Sequence, residues 1–302
     1  MLSFPEIRVG DVIEHEALAV FPLYSPPTGS AAYLLSDEAL ATGSVTVAET
    51  SEAGSVPTLV VANETDSPVL FLEGEELRGA KQNRVLNTSV MVAARARTAI
   101  PVSCVEAGRW RYASRHFGTS GYHSSPRLRH IIKGSASRSA RAGRGHGSDQ
   151  GEVWKEVSRQ MEALGAHSPT AAMADTFDAY RDRLAEFRKR LTHVEGATGL
   201  AVAIGGKVAS IDLFDKPATC RKVWDRLLTG VVMDAVEAGP ATEPAAAESV
   251  LQVVARLREA AWQPVPTVGA GEEFRSDTDD GQHASALVFE GSVVHGSLIL
   301  AV

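Results

Sequence analysis

Cysteine is scarce in this chain, with only Cys104 and Cys220 among 302 residues. Two thiols exclude a disulfide framework and any multi-cysteine zinc cluster. Long apolar runs are also missing, and none approaches the ~20 residues that a bilayer-spanning helix needs. Met1 to Glu6 lacks both a basic n-region and an apolar h-region, so no signal peptide is expected. What is present is ordinary for a folded chain: 44% apolar and 22% charged residues, enough length to bury a core without staples. The expectation is a cytoplasmic protein with reduced thiols and no membrane contact.

Acidic charge is nearly absent from one stretch. Between residues 106 and 147, nine cations (Arg109, Arg111, Arg115, Arg127, Arg129, Lys133, Arg138, Arg141, Arg144) face Glu106 alone. The flanks are acidic, 6 basic against 13 acidic residues in 1–105 and 15 against 23 in 148–302. A basic island of this kind reads as a solvated loop or as an anion site for phosphate, nucleotide or nucleic acid.

The pattern along the chain predicts an α+β fold. Residues 1–106 form a β-rich half, with short apolar stretches at 18–24, 45–48, 58–62, 69–72, 85–93 and 99–105 split by polar, Gly or Pro punctuation. An antiparallel sandwich, a barrel or a strongly bent sheet fits that spacing, with one short helix near Asp37–Ala41. Residues 107–149, rich in Gly, Ser, Arg and His, are expected to be a mobile basic loop. A helical hairpin over 152–191 follows, in the α+β half 150–302. Its first stripe is Trp154, Val157, Met161 and Leu164; its second is Met173, Phe177, Tyr180, Leu184, Phe187 and Leu191, narrow enough for one partner helix. That partner is the first stripe or a second copy of the chain. Leu200–Ile204 and Lys207–Phe214 form a hairpin around Gly205-Gly206, Asp215 and Pro217 open a buried helix, Thr242 and Pro244 open another ending near Trp262, and a second hairpin turns at Gly291-Ser292.

Two segments are denser in polar groups than a plain sheet needs. The first is Phe71-Leu72-Glu73-Gly74-Glu75-Glu76-Leu77-Arg78-Gly79-Ala80-Lys81-Gln82-Asn83-Arg84-Val85-Leu86; the second is Pro101-Val102-Ser103-Cys104-Val105-Glu106-Ala107-Gly108-Arg109-Trp110. On neighbouring strands, Glu75, Gln82, Arg84, Glu106 and Arg109 would converge at one rim. Carboxylates there serve acid–base work and arginines grip phosphate or carboxylate; the bland alternative is an ion-pair lattice closing a sheet edge. Cys104 and Cys220 read as buried structural thiols. His116, His123, His130 and His146 fit no zinc spacing. His295 reads as a satisfied strand histidine, Gly205-Gly206-Lys207 as a turn rather than a phosphate loop, and Asp277, Asp279 and Asp280 as a solvated turn. No metal and no cofactor are expected.

The stretches EGEELRGAKQNRVLN and IPVSCVEAGRW, with GLAVAIGGKVASIDLFDKPATCRKVWDRLL further on, resemble a bacterial domain family. It is named for its association with ADP-ribosylglycohydrolases and rhodanese-phosphatases, and the likeness spans roughly residues 10–300, making the chain 1–302 a single family domain. Ala80 stands where a second Gly is expected, which touches turn geometry only. The resemblance implies a role near NAD or ADP-ribose metabolism and carries no known catalytic residue. The leading expectation is therefore an anionic nucleotide-like small molecule, with Glu106 or Glu75 as acid or base, Lys81, Gln82, Asn83, Arg84 and Arg109 binding it, and Trp110 stacking. One alternative is a non-catalytic assembly module, a homo-oligomer using the 173–191 helix. The other is nucleic-acid binding through 109–144, disfavoured by the acidic flanks.

Overall fold

A computed structural model describes residues 2, 4–27, 31–240, 247–278 and 281–301. In chain order the elements are β1 (Arg8–Val9), β2 (Ile13–His15), β3 (Leu18–Tyr24), β4 (Leu34–Leu35), α1 (Ser36–Ala41), β5 (Val45–Glu49), β6 (Thr58–Asn63), β7 (Val69–Phe71), β8 (Glu75–Gly79), β9 (Arg84–Leu86), β10 (Val90–Val92), β11 (Arg97–Cys104) and β12 (Phe117–His123). Then come α2 (Pro126–Arg141), α3 (Gln150–Ala163), α4 (Met173–Ala179), α5 (Arg181–Arg190), β13 (Gly199–Ile204), β14 (Lys207–Phe214), α6 (Pro217–Ala238), α7 (Ala247–Glu259), β15 (Gln263–Val265), β16 (Glu272–Asp277), β17 (His283–Phe289) and β18 (Ser292–Ile299). The fold is α+β with a β-rich N-terminal half, as the pattern predicts.

That half closes on itself. Strands β11-β6-β5-β12-β8-β9 form a closed barrel, the last pairing back to β11. Closure leaves no free sheet edge. Val45, Val47, Leu59, Val61, Leu77, Leu86, Ile100, Val102 and Phe117 pack together as its filling. Alternation then sends Val85 and Val105 outward, into the main core. The first three strands leave the barrel and join the C-terminal half in a nine-stranded sheet, order β1-β3-β13-β14-β18-β17-β16-β15 with β2 on β3. Both predicted hairpins lie side by side in that sheet, β14 pairing β18. Among the described residues no helix is long and apolar enough to cross a membrane.

The basic stretch is not the mobile loop its composition suggests. β12 completes the barrel, and α2 is a sixteen-residue helix wedged against the large sheet. Ser125 caps it by accepting from the Leu128 N–H, and Pro126 occupies the first turn. Leu128, Ile132, Ala136 and Ala140 recur every four residues and are all buried. The many Gly, Ser and Arg between them hide that period from a reading by composition.

The 173–191 stripe also differs from expectation. Tyr180 ends α4 and starts α5, with φ −102° and ψ 17°, and its hydroxyl donates to the Leu164 carbonyl at 2.7 Å. Met173, Phe177, Leu184, Phe187 and Leu191 are buried in the chain's own core, and α5 packs on α6, where the Trp224 indole donates to the Leu191 carbonyl. On α3 the buried face is Val153, Glu156, Val157 and Gln160, because Gln160 finds Asp234 at 2.8 Å; Trp154, Met161 and Leu164 are half-buried. Helix α6 needs its Gly230: a Cβ there would meet the Ser124 carbonyl oxygen at 2.2 Å. Thr242, Pro244, Asp279 and Asp280 lie outside the described residues; Asp277 pairs with His283 and Arg141.

Candidate functional site at the barrel mouth

The two polar segments meet. β9 pairs antiparallel with β11, setting Arg84 opposite Cys104. The chain beyond each strand then folds over the same end of the barrel. The Asn83 N–H donates to Glu106 Oε2 at 3.0 Å, and the Gln82 amide donates to the Glu106 carbonyl. Arg109 Nε and Nη2 grip the two Glu106 oxygens at 2.8 and 2.6 Å, and Thr170 adds a hydroxyl to Oε1 at 2.8 Å. Burial alone would raise the Glu106 carboxyl; these donors override it and hold the group below the usual carboxylate range. Arg109 also donates to the Ala80 carbonyl at 2.6 Å. Ala80 sits at φ +39°, a conformation that favours glycine. Its N–H to Ser114 and its carbonyl to the Ala113 N–H hold it there.

Below this clamp lies the barrel mouth. Glu49, Arg84 and Cys104 share the inward parity of Val47, Leu86 and Val102, so all three face the interior at one end. The Arg84 side chain is 0% exposed and that of Glu49 2%, yet their closest approach, Nη2 to Oε1, is 3.9 Å. Arg84 Nη1 donates to Gln82 Oε1 at 3.1 Å, which also accepts from the Cys104 thiol at 3.1 Å. Arg84 Nε and Nη2, and Glu49 Oε2, have no hydrogen-bond partner among the described residues. Burial pulls the Arg84 guanidinium below its ordinary value and pushes the Cys104 thiol up. Outside, Trp110 covers the guanidinium with Arg84 Cζ 5.7 Å from its ring centre, and Lys81 Nζ lies 5.2 Å from Trp110 and 5.1 Å from Tyr112. These two aromatics are about half exposed, 47% and 50%. Gly54, at φ +76°, lets the β5–β6 loop lie under the indole; a Cβ would press Trp110, Lys81 and Glu49 at 3.2–3.3 Å. A groove of about 710 Å³, lined by Glu52, Tyr112, Ala113, Ser114 and Arg115, opens beside them.

Glu75 does not reach this rim. It lies at the other end of β8, opposite His123, with Ser36 donating to it at 2.5 Å and Arg226 forming an ion pair with it at 3.3 Å. Nor are the island's cations a free surface. Arg109 binds Glu106, Arg127 binds Glu237, Arg141 binds Asp277, and Arg129 and Lys133 are buried against Glu73. Arg111, Arg115, Arg138 and Arg144 are exposed.

Sequence reasoning missed a second polar centre between α2, the barrel and the large sheet. Arg129 donates to both Asp212 oxygens at 2.9 and 2.6 Å and to Glu73 at 3.0 Å. Lys133 Nζ meets Glu73 at 2.8 Å, Ser285 at 2.6 Å and Ser297 at 2.5 Å. His295 bridges Asp212 and Ser89, a satisfied strand histidine as expected. Burial opposes charge on Glu73 and Asp212, but the surrounding cations hold both carboxyls well below their usual range. Burial also lowers Lys133, to about 8, against the pull of Glu73. The adjoining void is only about 10 Å³, room for at most one water. The available signal was polar residues at alternate positions of otherwise apolar strands, Ser210 and Asp212 or His295 and Ser297.

The site is thus one end of a closed barrel, with half-exposed aromatics over a buried arginine, in an α+β protein. The model of the ARG and Rhodanese-Phosphatase-superfamily-associated Protein domain matches residues 6–299, and the chain belongs to that family. The domain is associated with ADP-ribosylglycohydrolase and rhodanese-phosphatase proteins. No curated protein and no solved structure matches the chain.

Proposed function

We propose that the barrel mouth binds an anionic, nucleotide-like ligand linked to NAD or ADP-ribose metabolism in the cytoplasm. The observation that carries this reading is the Arg84 guanidinium, wholly buried with two nitrogens lacking a hydrogen-bond partner among the described residues, beneath a half-exposed tryptophan. Buried donors are normally partnered, so an unpaired pair beside a groove calls for an acceptor from outside. Trp110 and Tyr112 provide stacking faces for a base, while Lys81 and Arg84 supply charge for phosphate. Gln82, Asn83 and Arg109 fix the loop that carries Lys81. In this reading Glu106 is a positioning group, since four donors occupy its oxygens and leave none for a substrate proton; Glu75 belongs to a different contact. The family's association supports the ligand class.

Thermal shifts with NAD, ADP-ribose, AMP and inorganic phosphate test the reading on the wild type, Lys81→Ala and Trp110→Ala. A ligand at 100 times its Kd stabilises by about 2.7 kcal/mol, and that shift should shrink in both variants. No shift with any of them removes the proposal. Salt-dependent binding of an oligonucleotide through Arg111, Arg115, Arg138 and Arg144, or a dimer seen by sedimentation-based mass, would then take its place.

A further inference from the structure

We infer that Glu49 and Arg84 together recognise a phosphate flanked by a ribose hydroxyl, so that the ligand class is a phosphorylated ribose rather than a bare anion. This rests on the binding reading above. Arg84 offers its Nε–Nη2 edge, the side of a guanidinium that takes two oxygens of a phosphate at once. Neither nitrogen of that edge has a hydrogen-bond partner among the described residues, and neither has Oε2 of Glu49, whose Oε1 is the nearest carboxylate oxygen to Nη2. The mouth therefore presents two donors and one acceptor, with Nη2 and the Glu49 carboxylate 3.9 Å apart.

Each simpler ligand leaves part of this set unmet. Inorganic phosphate satisfies Arg84, but the only hydroxyl it can turn to Glu49 is its own P–OH, which brings the anion's charge against the carboxylate. A neutral base has no group that neutralises a guanidinium. A ribose phosphate satisfies both, because its phosphate oxygens accept from Arg84 while a hydroxyl donates to Glu49. A missing hydroxyl would leave Glu49 Oε2 without a hydrogen bond in a buried place, while Oε1 keeps the Lys81 N–H; an unmet buried acceptor is the situation that gives polar sites their strongest discrimination. The groove lined by Tyr112, Ser114 and Arg115 has room for the rest of a nucleotide. Entry requires the Trp110 indole to swing off Arg84. Its half-exposed ring and the exposed run from residue 110 to 116 permit that movement.

Calorimetry on the full chain with AMP, 2′,3′-dideoxy-AMP, ADP-ribose and inorganic phosphate tests this, with tryptophan emission of wild type and Trp110→Phe alongside. AMP should bind at least about ten-fold more tightly than its dideoxy analogue, each bidentate or charge-assisted contact being of that order. Glu49→Ala should narrow the ratio to below about two-fold. The emission change on binding should vanish in Trp110→Phe. Equal affinity for AMP and dideoxy-AMP, or phosphate binding as tightly as AMP, overturns the inference while leaving an anion site at Arg84. An emission change that persists in Trp110→Phe also overturns it, because the ligand then sits elsewhere. If none of the four binds, the reading of the mouth as a ligand site fails as well. The wild-type comparison of the two nucleotides stands whether or not Glu49→Ala folds.

Discussion

The protein buries charge in two places, and they are built differently. Around Glu73, Arg129, Lys133, Asp212 and His295 nearly every polar atom has a partner inside the molecule, Arg129 Nε being an exception. At the barrel mouth Arg84 makes hydrogen bonds with Nη1 alone among the described residues, although it is just as buried. The first centre ties helix α2, the turn that leads into barrel strand β8 and three strands of the large sheet together, from 56 to 224 residues apart in sequence. The second lies under exposed aromatics with a groove alongside. Density of charge is therefore common to both centres, and what separates them is how fully the buried polar atoms are satisfied and whether an accessible surface lies alongside.

The strongest way to break this comparison is to remove the central arginine of each. Arg129→Met takes from Asp212 its guanidinium and from Glu73 one of its two cations, leaving buried charge under-compensated, and should cost about 3–5 kcal/mol in denaturant titrations, or prevent folding. Arg84→Met should cost no more than about 1 kcal/mol, because little of its hydrogen bonding is made within the chain. An equal loss in both would make the mouth a structural lattice like the first centre.

A carboxylate outside both centres sharpens the point. Glu76 is fully buried with neither oxygen partnered among the described residues, and burial pushes it up to about 7. Its folded value lies above the unfolded one, so the stability associated with its proton is present below about pH 4 and lost as pH rises through about 7. Glu76→Gln should then gain about 2–3 kcal/mol over wild type at pH 8 and nothing at pH 4, read from paired unfolding curves.

The acid limb has the opposite sign. Glu73 and Asp212 are depressed in the folded state, so their contribution is present above about pH 4 and fades as pH falls toward their folded values. Unfolding curves from pH 6 to 2 should show this loss, with a shallower slope in any folded Arg129 variant. The smallest effect expected is for Trp110→Ala. Its half-exposed ring should change stability by less than about 0.5 kcal/mol, even though ligand-induced stabilisation is lost.

Much of the fold was legible because strand and turn signals are local. Leu18–Tyr24 matches β3 at both ends, and Gly205-Gly206 makes the turn expected of it, with φ +56° and +85°. The 73–84 and 104–110 segments could be read as meeting only on the condition that their strands are neighbours, a condition that the β9–β11 pairing meets and the sequence does not state. Helix α2 was not legible, because its four-residue apolar period is diluted by Gly, Ser and Arg, and composition dominates any window across it. The place of Glu75 was also hidden. A β8 side chain's parity follows from sequence, but which end of a closed barrel it occupies does not.

The sequence alone determined the mixture of strands and helices, the two hairpins and the polar blocks, since these follow from side-chain period and turn chemistry over a few residues. Only the tertiary structure decided which charges are spent and which are spare. Arg84, Arg109, Arg129 and Lys133 look alike in a one-dimensional string. Their partners come from strands and helices far along the chain, and whether a buried guanidinium is satisfied depends on where barrel closure and sheet pairing place those partners.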